Sequence, residues 1–512
     1  MARVDERRGK EKISQKDQSA DNRQSNNGGC AMADYSLNEL KRWNERIEEL
    51  VHEEKLHCYK QEFNMVSYEE MTAYEAYSGM PSHYPHWSFG KAYERIKTFN
   101  RYNITGLPYE MVINSNPCIA YLMKDNSLLL QILTMAHVYG HNDFFRNNRL
   151  FSTGTRAEYT VEMFKNHAVR IREYISDPSI GYAKVERIIN AAHALRYQCA
   201  RTIGARKLEY DETKKRLFDQ SCRADKLKQE SSWIDNKRSK SSRTDKNQLN
   251  ADWTNRDQLE QELKKIPPEP EEDLLFFIIN YAKLNEWEKD IVDIVREETL
   301  YFIPQIETKI MNEGWASYWH YILLNKLNLP QQLHFEFLRR HNQVVKPFEG
   351  RLNPYFLGFK IFEDIRQKNP DEPDKIFEVR EIERDESFVR RYLTKELCNE
   401  MNLYEYEKDG NEYIVTQIAD EEGWIRIRDT IASGSGLGGI PAIRIIDWNQ
   451  KDNTLLLEHL YDGRELEIQY ANETLKHLVD LWDGKVMLNT QVDGKKRTLL
   501  CDEQKKVVQI NT

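Results

Sequence analysis

The stretch ILTMAHVYGHNDFF, residues 132–145, carries two histidines in an apolar run with the pattern of a helix. Positions i and i+4 lie on one face of an α-helix, so His137 and His141 can both reach one ion. Two core histidines bonded to backbone or carboxylate groups would give the same pattern, and a two-residue motif often occurs by chance. The stretch therefore predicts a helical core and raises the hypothesis of a metal site without deciding it.

The residue after the first histidine is Val138, where a zinc-protease helix of the HExxH type has glutamate. That glutamate takes a proton from water during hydrolysis, which valine cannot do. If the chain is a hydrolase another group must serve, and Glu110 is the first choice because it lies in an aromatic loop region. Asp143, Tyr139 and Glu313 are the other candidates. An ordinary carboxylate at the surface or at the edge of the core is the alternative for Glu110.

A second helical run, IETKIMNEGWASYWHYILL (306–324), is apolar or aromatic almost all round, which predicts another buried helix. Glu313 lies inside it, and a buried charge is costly unless it is paired or bound to a metal. Zinc hydrolases commonly combine two histidines with a carboxylate, so Glu313 fits the third ligand position. His320 returns to the same face seven residues later and is predicted as a further ligand. A buried pair of Glu313 with arginine or histidine is the alternative.

A third helical run, VERIINAAHALRYQC (185–199), repeats the seven-residue spacing with Glu186 and His193. Together with the other two helices it would allow a dinuclear centre inside a bundle, and His193 would compete with His320 as the fourth ligand. Carboxylate bundles with two metals use Glu-x-x-His instead, so the match is imperfect. The pattern favours a structural pair of Glu186 and His193.

The composition indicates a soluble protein with large packed cores. Aromatic residues make up 11% of the 512 residues, and charged residues 31% with a net charge of −9, which gives no basic excess for nucleic acid. The seven cysteines are scattered without a CxxC pair, which favours a reduced, cytoplasmic protein. No apolar run approaches about 18 residues, so no transmembrane segment is predicted. LLFFIINYA (274–282) is interpreted as a buried helix.

The fold class predicted is mainly α, with a multi-helix domain, an aromatic loop region at 79–118 and a small C-terminal α+β module. Residues 1–34 are polar and are predicted to be a disordered tail. Residues 35–398 form the predicted helical domain, with a polar insertion at about 205–270, and residues 399–512 form the α+β module. GSGLGG (434–439) formally matches a dinucleotide fingerprint, but a strand-like run follows it, so a flexible turn is expected.

Four long blocks of the sequence resemble the stage V sporulation protein R (SpoVR) family. They are MPSHYPHWSFGKAYE (80–94), YNITGLPYEMVINSNPCIAYLM (102–123), TMAHVYGHNDFF (134–145) and PQIETKIMNEGWASYWHYIL (304–323). The resemblance covers about residues 35–512 and implies a role in forming the spore cortex, a modified peptidoglycan layer. The family also has relatives in bacteria that make no spores. The resemblance implies a process and no particular reaction.

Two functional hypotheses follow from these observations. In the first, the chain is a helical metalloprotein with hydrolase activity on amide or peptide-like bonds, and His137, His141, Glu313 and His320 hold a divalent ion, expected to be zinc. Its substrate would be related to peptidoglycan, and an unidentified protein is the other possible partner. In the second, the chain is a non-enzymatic scaffold or regulator of cortex assembly with a structural metal or none. A catalytic metal keeps an open coordination position, which distinguishes the two.

Overall fold

The computed structural model describes residues 35–102, 110–203, 209–220, 223, 265–347, 352–409 and 412–511. The tail predicted at 1–34 and most of the insertion predicted at about 205–270 lie outside the described residues. The described part is mainly helical with a C-terminal α+β region, which confirms the predicted fold class. The boundary predicted between residues 398 and 399 stays a prediction.

Helices account for most of the described chain before residue 400. They span Leu37–Glu53, Tyr68–Ala76, Trp87–Arg101, Leu128–Asn147, Arg149–Gly154, Thr160–Ser176, Tyr182–Leu195, residues 210–220, Leu274–Tyr281, Glu286–Glu307, Lys309–Lys326, Gln331–Val344, Pro354–Lys368, Lys375–Ile382, Asp385–Tyr392, Lys395–Glu400, Gly423–Gly434 and Ile468–Trp482, with short 3-10 turns at Ala157–Tyr159 and Gly436–Gly439. The helical runs predicted at 132–145, 185–199, 306–324 and 274–282 correspond to the helices Leu128–Asn147, Tyr182–Leu195, Lys309–Lys326 and Leu274–Tyr281. Among the described residues, no helix is long and apolar enough to cross a membrane.

Two central helices carry the predicted site and are named here for it. The histidine helix is Leu128–Asn147, and it is buried on every side from Leu129 to Phe145. The glutamate helix is Lys309–Lys326. Its first turn is capped from a distant segment, since the two carboxylate oxygens of Asp385 accept the backbone N–H groups of Ile310 and Met311 at 2.8 and 2.9 Å.

Glycines allow the central helices to approach each other closely. A Cβ atom on Gly140 of the histidine helix would lie only 2.6 Å from the Cα of Ala316 on the glutamate helix. A Cβ atom on Gly314 would overlap the backbone of Gly358 in the helix Pro354–Lys368. Backbone-to-backbone contact of this kind requires residues without side chains, so these glycines fix the spacing of three helices.

A small sheet lies beside the histidine helix. Its strands are β1 (Gln61–Val66), β2 (Glu110–Ile113) and β3 (Cys118–Met123), in the order β1-β3-β2. Strand β1 runs parallel to β3, and β2 runs antiparallel to it. The loop region predicted at 79–118 is therefore wrong in part, since it contains the helix Trp87–Arg101, strand β2 and the start of β3. The prolines and scattered aromatic residues of this region favoured a loop prediction, because its helix and strands are short and give only a weak periodic pattern.

The C-terminal region contains a hairpin, β4 (Glu405–Asp409) and β5 (Glu412–Gln417), and a five-stranded sheet. The sheet has the order β10-β9-β8-β7-β6, with β6 at Ile443–Asn449, β7 at Thr454–His459, β8 at Val486–Val492, β9 at Lys495–Cys501 and β10 at Val507–Asn511. Strands β7 and β8 are parallel, and the helix Ile468–Trp482 connects them as such a crossover requires.

The segment GWIRIRDTI (423–431) is a short β-branched run, which predicts a strand of the α+β module, but it is the start of the helix Gly423–Gly434. Its alternating isoleucines and arginines suggested period two. The residues that contact the helical core are Trp424, Ile427 and Ile431, which repeat at helical spacing, whereas Ile425 is exposed. Burial against the helices before residue 400 therefore decides the conformation of this segment.

Candidate metal centre

The two histidines of the histidine helix lie side by side inside the core. Their ring centroids are 4.6 Å apart, and His137 and His141 are 4% and 7% exposed. One helical turn separates them, so both rings project from the same face. The pattern in the sequence thus placed the two imidazoles correctly relative to each other.

Two carboxylates from different elements meet these rings. The Oε2 atom of Glu313 lies 3.9 Å from Nε2 of His137 and 3.6 Å from Nε2 of His141. The Oε1 atom of Glu110, the first residue of β2, lies 3.8 Å from Nε2 of His137. Ligand atoms of Glu110, His137 and His141 all lie within 4.8 Å of one another. One oxygen of Glu313 thus lies within 4 Å of both Nε2 atoms, and a second carboxylate, that of Glu110, lies beside His137.

The hydrogen bonds behind the site orient both imidazoles. Nδ1 of His141 lies 2.9 Å from the side-chain oxygen of Asn312, and an amide oxygen can only accept. The proton of His141 is therefore on Nδ1, which leaves the lone pair of Nε2 facing the carboxylates. Metal-binding histidines characteristically donate their other N–H to such a partner, so Asn312 supports a ligand role for His141.

A row of histidines extends behind His137. Its Nδ1 lies 2.9 Å from Nδ1 of His320, whose Nε2 lies 2.8 Å from Nδ1 of His341. If Nδ1 of His137 donates, both bonds can form with neutral rings and Nε2 of His137 stays free for an ion. The structure thus places His320 in contact with His137, with both of its nitrogens bonded to other histidines.

The charges of the site suit cation binding. Burial lowers the pKa of His141 to about 4, so this ring is neutral near pH 7. Burial raises the pKa of Glu313, but its contacts with His137, His141 and Tyr355 outweigh this effect, and its pKa falls below the usual value. Burial raises the pKa of Glu110. Neutral imidazoles beside an ionised carboxylate are the protonation states in which a metal is bound.

Comparison with known proteins assigns the chain to a family. Residues 34–440 match the family described as SpoVR like protein, and residues 441–493 match the SpoVR-like C-terminal domain. The chain belongs to the SpoVR family. This membership confirms the resemblance seen in the sequence and supports a sporulation-associated protein.

A curated relative of this SpoVR-family chain is the "Uncharacterized protein YcgB" of Escherichia coli (strain K12). It is 34% identical over 491 residues, which cover 87% of this chain and 90% of the relative. No solved structure matches the chain. The relative's name gives no activity, so the chemistry of the site must be argued from its geometry.

Other candidates from the sequence are engaged elsewhere in the SpoVR-family chain. Asp143 accepts hydrogen bonds from Nε1 of Trp315 at 2.9 Å and from the backbone N–H of His57 at 2.7 Å, which ties two buried segments together. The hydroxyl of Tyr139 donates to Asn44. These contacts give both side chains structural roles away from the carboxylate pair.

The third predicted helix forms no Glu–His pair. Glu186 accepts a hydrogen bond from the hydroxyl of Tyr182 at 2.9 Å, whereas Nε2 of His193 lies 2.7 Å from the hydroxyl of Tyr84. His193 contributes to a separate cluster with His83 and His86. The structure therefore does not bring Glu186 and His193 together as ligands.

Three residues of the SpoVR-family site were not found from the sequence: Asn312, His341 and Tyr355. Asn312 precedes Glu313 on a buried helix, and a buried amide beside a predicted ligand was a usable signal. Tyr355 lies in the first turn of the helix Pro354–Lys368, and its ring stacks on His137 with centroids 6.3 Å apart. Only the packing of distant helices reveals it and His341.

Proposed function

We propose that this SpoVR-family chain is a cytoplasmic metal-dependent hydrolase of amide or peptide-like bonds that acts in formation of the spore cortex. The observation that carries the proposal is the convergence of Nε2 of His137 and His141 with the carboxylates of Glu313 and Glu110. Four such groups have no reason to face one another in a core unless a cation or a proton is shared among them.

The donor set favours zinc. Two imidazole nitrogens and one carboxylate are the protein ligands of many catalytic zinc sites, which leave a fourth position open. Magnesium and calcium prefer all-oxygen sites, so the two histidines argue against them. We assign His137, His141 and Glu313 as the ligands, because a single oxygen of Glu313 lies within 4 Å of the Nε2 atoms of both rings.

Glu110 would accept the proton from water, which Val138 cannot do. A divalent ion at this point would supply Lewis acidity, polarising a carbonyl and acidifying a water. The carboxylate of Glu110 approaches from β2, on a different element from the ligands, and burial raises its pKa, which makes it a stronger base. It can accept the proton of the attacking water and pass it to the leaving amine. The side chains of Glu110 and Glu313 are 18% and 21% exposed, so the site is not sealed from a substrate.

Tyr355 and His320 hold the ligands in place in this proposal. The phenol of Tyr355 donates to Glu313, and Glu313 in turn raises the pKa of Tyr355 well above its usual value, so this proton is retained. His320 fixes the ring of His137 from behind. Both contacts reduce the freedom of a ligand, which is the function of residues around a metal site.

The substrate class is inferred from the family and the compartment. Association with the cortex points to a peptide-like bond of a peptidoglycan precursor, or of a protein that regulates its assembly. The five cysteines that the structure describes are unpaired, which supports the reducing cytoplasm as the location. Mature wall would then lie outside the reach of the enzyme.

One observation favours a second candidate function. Glu110 is close enough to His137 to serve as a fourth ligand, and four protein ligands close a zinc site. A closed site would be structural, and the chain would act as a scaffold or regulator of cortex assembly. The role of Glu110 therefore separates the two functions.

Zinc content and hydrolysis measured together test both functions. The purified full-length protein, His137→Ala, Glu313→Gln and Glu110→Gln are compared by elemental analysis and by cleavage of peptidoglycan-precursor peptides, with the exposed His52→Ala as the matched control. The proposal expects zinc in the wild type and the control, loss of zinc in His137→Ala and Glu313→Gln, and full zinc with no cleavage in Glu110→Gln.

The contrary outcomes are equally distinct. Loss of zinc in Glu110→Gln, with no cleavage by the wild type, supports the structural site. Full zinc retention in both His137→Ala and Glu313→Gln refutes the metal centre itself.

A further inference from the structure

A second polar cavity lies apart from the metal centre, between the helices Tyr182–Leu195 and Glu286–Glu307 and the segment around residues 78–89. We call it the His193 pocket; its volume is about 190 Å³, and its walls include His193, Arg196, Glu298, Phe89 and Phe302. None of these residues belongs to the proposed metal site. The cavity combines charged groups with aromatic walls, which is the composition of a small-molecule site.

The Tyr84–His193 pair presents a hydrogen-bond donor in this region. The hydroxyl of Tyr84 lies 2.7 Å from Nε2 of His193, and Tyr84 is 1% exposed. Burial raises the pKa of Tyr84 well above its usual value and lowers that of His193, so the phenol keeps its proton and the imidazole is neutral. Tyr84 therefore donates to Nε2, and the proton of His193 is on Nδ1. Within the described part of the chain, Nδ1 of His193 has no hydrogen-bond partner.

Arg196 contributes a positive charge one turn further along the chain. It is half-buried, and its guanidinium carbon lies over the neighbouring Tyr197 ring, 4.7 Å from the ring centroid. Among the residues that the structure describes, it forms no ion pair and no hydrogen bond. A partly buried guanidinium without an anion is unfavourable, so Arg196 is positioned for an anionic ligand.

The acidic residue of the pocket, Glu298, is already bonded to two histidines. Both oxygens of Glu298 are held by histidines, with His83 Nε2 at 3.0 Å and His167 Nδ1 at 3.1 Å. His83 is itself fixed, because its Nδ1 accepts the backbone N–H of Tyr84 at 3.1 Å. Glu298 therefore organises the histidines of this wall and does not neutralise Arg196.

We propose that the His193 pocket binds a small organic carboxylate, with its charged end on Arg196 and His193 and its apolar body against Phe89 and Phe302. A guanidinium matches the two oxygens of a carboxylate in a paired arrangement. The aromatic walls favour an apolar body, which inorganic phosphate lacks. A cavity of about 150 Å³ holds one benzene molecule, so the volume here suits a ligand with one ring or a short branched chain.

Calorimetric titration of the full-length protein with benzoate tests this proposal. Benzamide, which has the same shape without the charge, and inorganic phosphate are the comparison ligands. The variants are Arg196→Met, which removes the charge, Arg196→Lys, which keeps it, and Arg187→Met as the matched control. Arg187 lies on the helix that ends just before Arg196, but its side chain is 54% exposed and pairs with Glu288 outside the cavity.

The expected result is benzoate binding by the wild type and by Arg187→Met, at least tenfold weaker binding by Arg196→Met, and an intermediate value for Arg196→Lys. Benzamide and phosphate should bind at least tenfold more weakly than benzoate. The proposal is overturned if benzoate does not bind, if Arg196→Met binds it unchanged, or if benzamide or phosphate binds as tightly. Should Arg196→Met fail to fold, Arg196→Lys and the benzamide comparison still decide.

Discussion

Replacing Gly140 by alanine tests whether close packing of the central helices maintains the candidate metal centre. Gly140 lies between His137 and His141 in sequence, and its missing Cβ allows the histidine helix to contact Ala316 of the glutamate helix. An added Cβ would lie 2.6 Å from the Cα of Ala316. Carbon atoms are in comfortable contact at about 3.5–4.0 Å, so the helices must separate by about 1 Å.

The cost of this separation follows from two opposing terms. Overpacking a core costs about 1–3 kcal/mol, while alanine improves a helix by about 0.5–1 kcal/mol over glycine. The clash is with backbone, which cannot rotate away, so we expect a net loss of about 1–2 kcal/mol in the free energy of unfolding. A displacement of about 1 Å between His141 and Glu313 also exceeds the tolerance of about 0.5 Å for a functional site.

Denaturant unfolding and zinc affinity measure the two effects, with Gly90→Ala as the control. Gly90 is exposed in the helix Trp87–Arg101, and its added Cβ would meet nothing within 4 Å. Gly90→Ala should therefore gain about 0.5–1 kcal/mol and keep its zinc. A Gly140→Ala protein as stable as Gly90→Ala, with unchanged zinc affinity, would refute the account of helix spacing.

Three further substitutions probe the surroundings of the two sites. Asp385→Ala removes both acceptors at the start of the glutamate helix and should lower the free energy of unfolding by about 2 kcal/mol in urea titrations, with partial recovery in Asp385→Asn. Asn312→Ala frees the ring of His141 and should weaken zinc binding about 10- to 100-fold in a chelator competition, whereas unchanged affinity would exclude a positioning role. His167→Gln breaks the bonds to Glu297 and Glu298 and should cost about 1.5–3 kcal/mol by thermal unfolding. Burial lowers the pKa of His167, but the two glutamates outweigh this effect and raise the pKa above its usual value. The bond to His167 lowers the pKa of Glu297, and the pKa of Glu298 is also below its usual value. The stability that wild type has over His167→Gln should therefore be largest between about pH 4.3 and pH 6.5, and should decline above that range as His167 loses its proton and below it as the glutamates gain theirs.

The sequence predicted the central helices because their apolar runs are long and their period is unambiguous. His137 and His141 follow from the helical repeat alone, and Glu313 follows from the cost of a charge in a run that has no polar face. The strand prediction for the start of the segment 423–434 was wrong because its residues show both the alternation of a strand and the spacing of a helix. Only contact with the helical core distinguishes the two patterns there.

The remaining parts of the sites depend on contacts that no local pattern records. His341 is linked to His137 through hydrogen bonds of both residues to His320. His137 and His320 are 183 residues apart in the sequence. The pair of Tyr84 and His193 is separated by 109 residues. Helical periodicity states which face of a helix is buried, but it does not state which other helix covers that face.

The burial of Val138 explains why the site can lack the glutamate of an HExxH helix. Val138 is 0% exposed, so its side chain is enclosed by the core in a helix buried on every side. A carboxylate at this position would need a partner inside the core or would lose several kcal/mol. Strand β2 instead presents Glu110 to the same two imidazoles from outside the helix, at a position that is partly exposed. In the proposed function, the residues assigned to hold an ion and the residue assigned to move a proton therefore lie on different elements. Substitution of Glu110 can therefore test proton transfer separately from metal binding. In an HExxH helix this separation is harder, because the glutamate lies between the two histidine ligands.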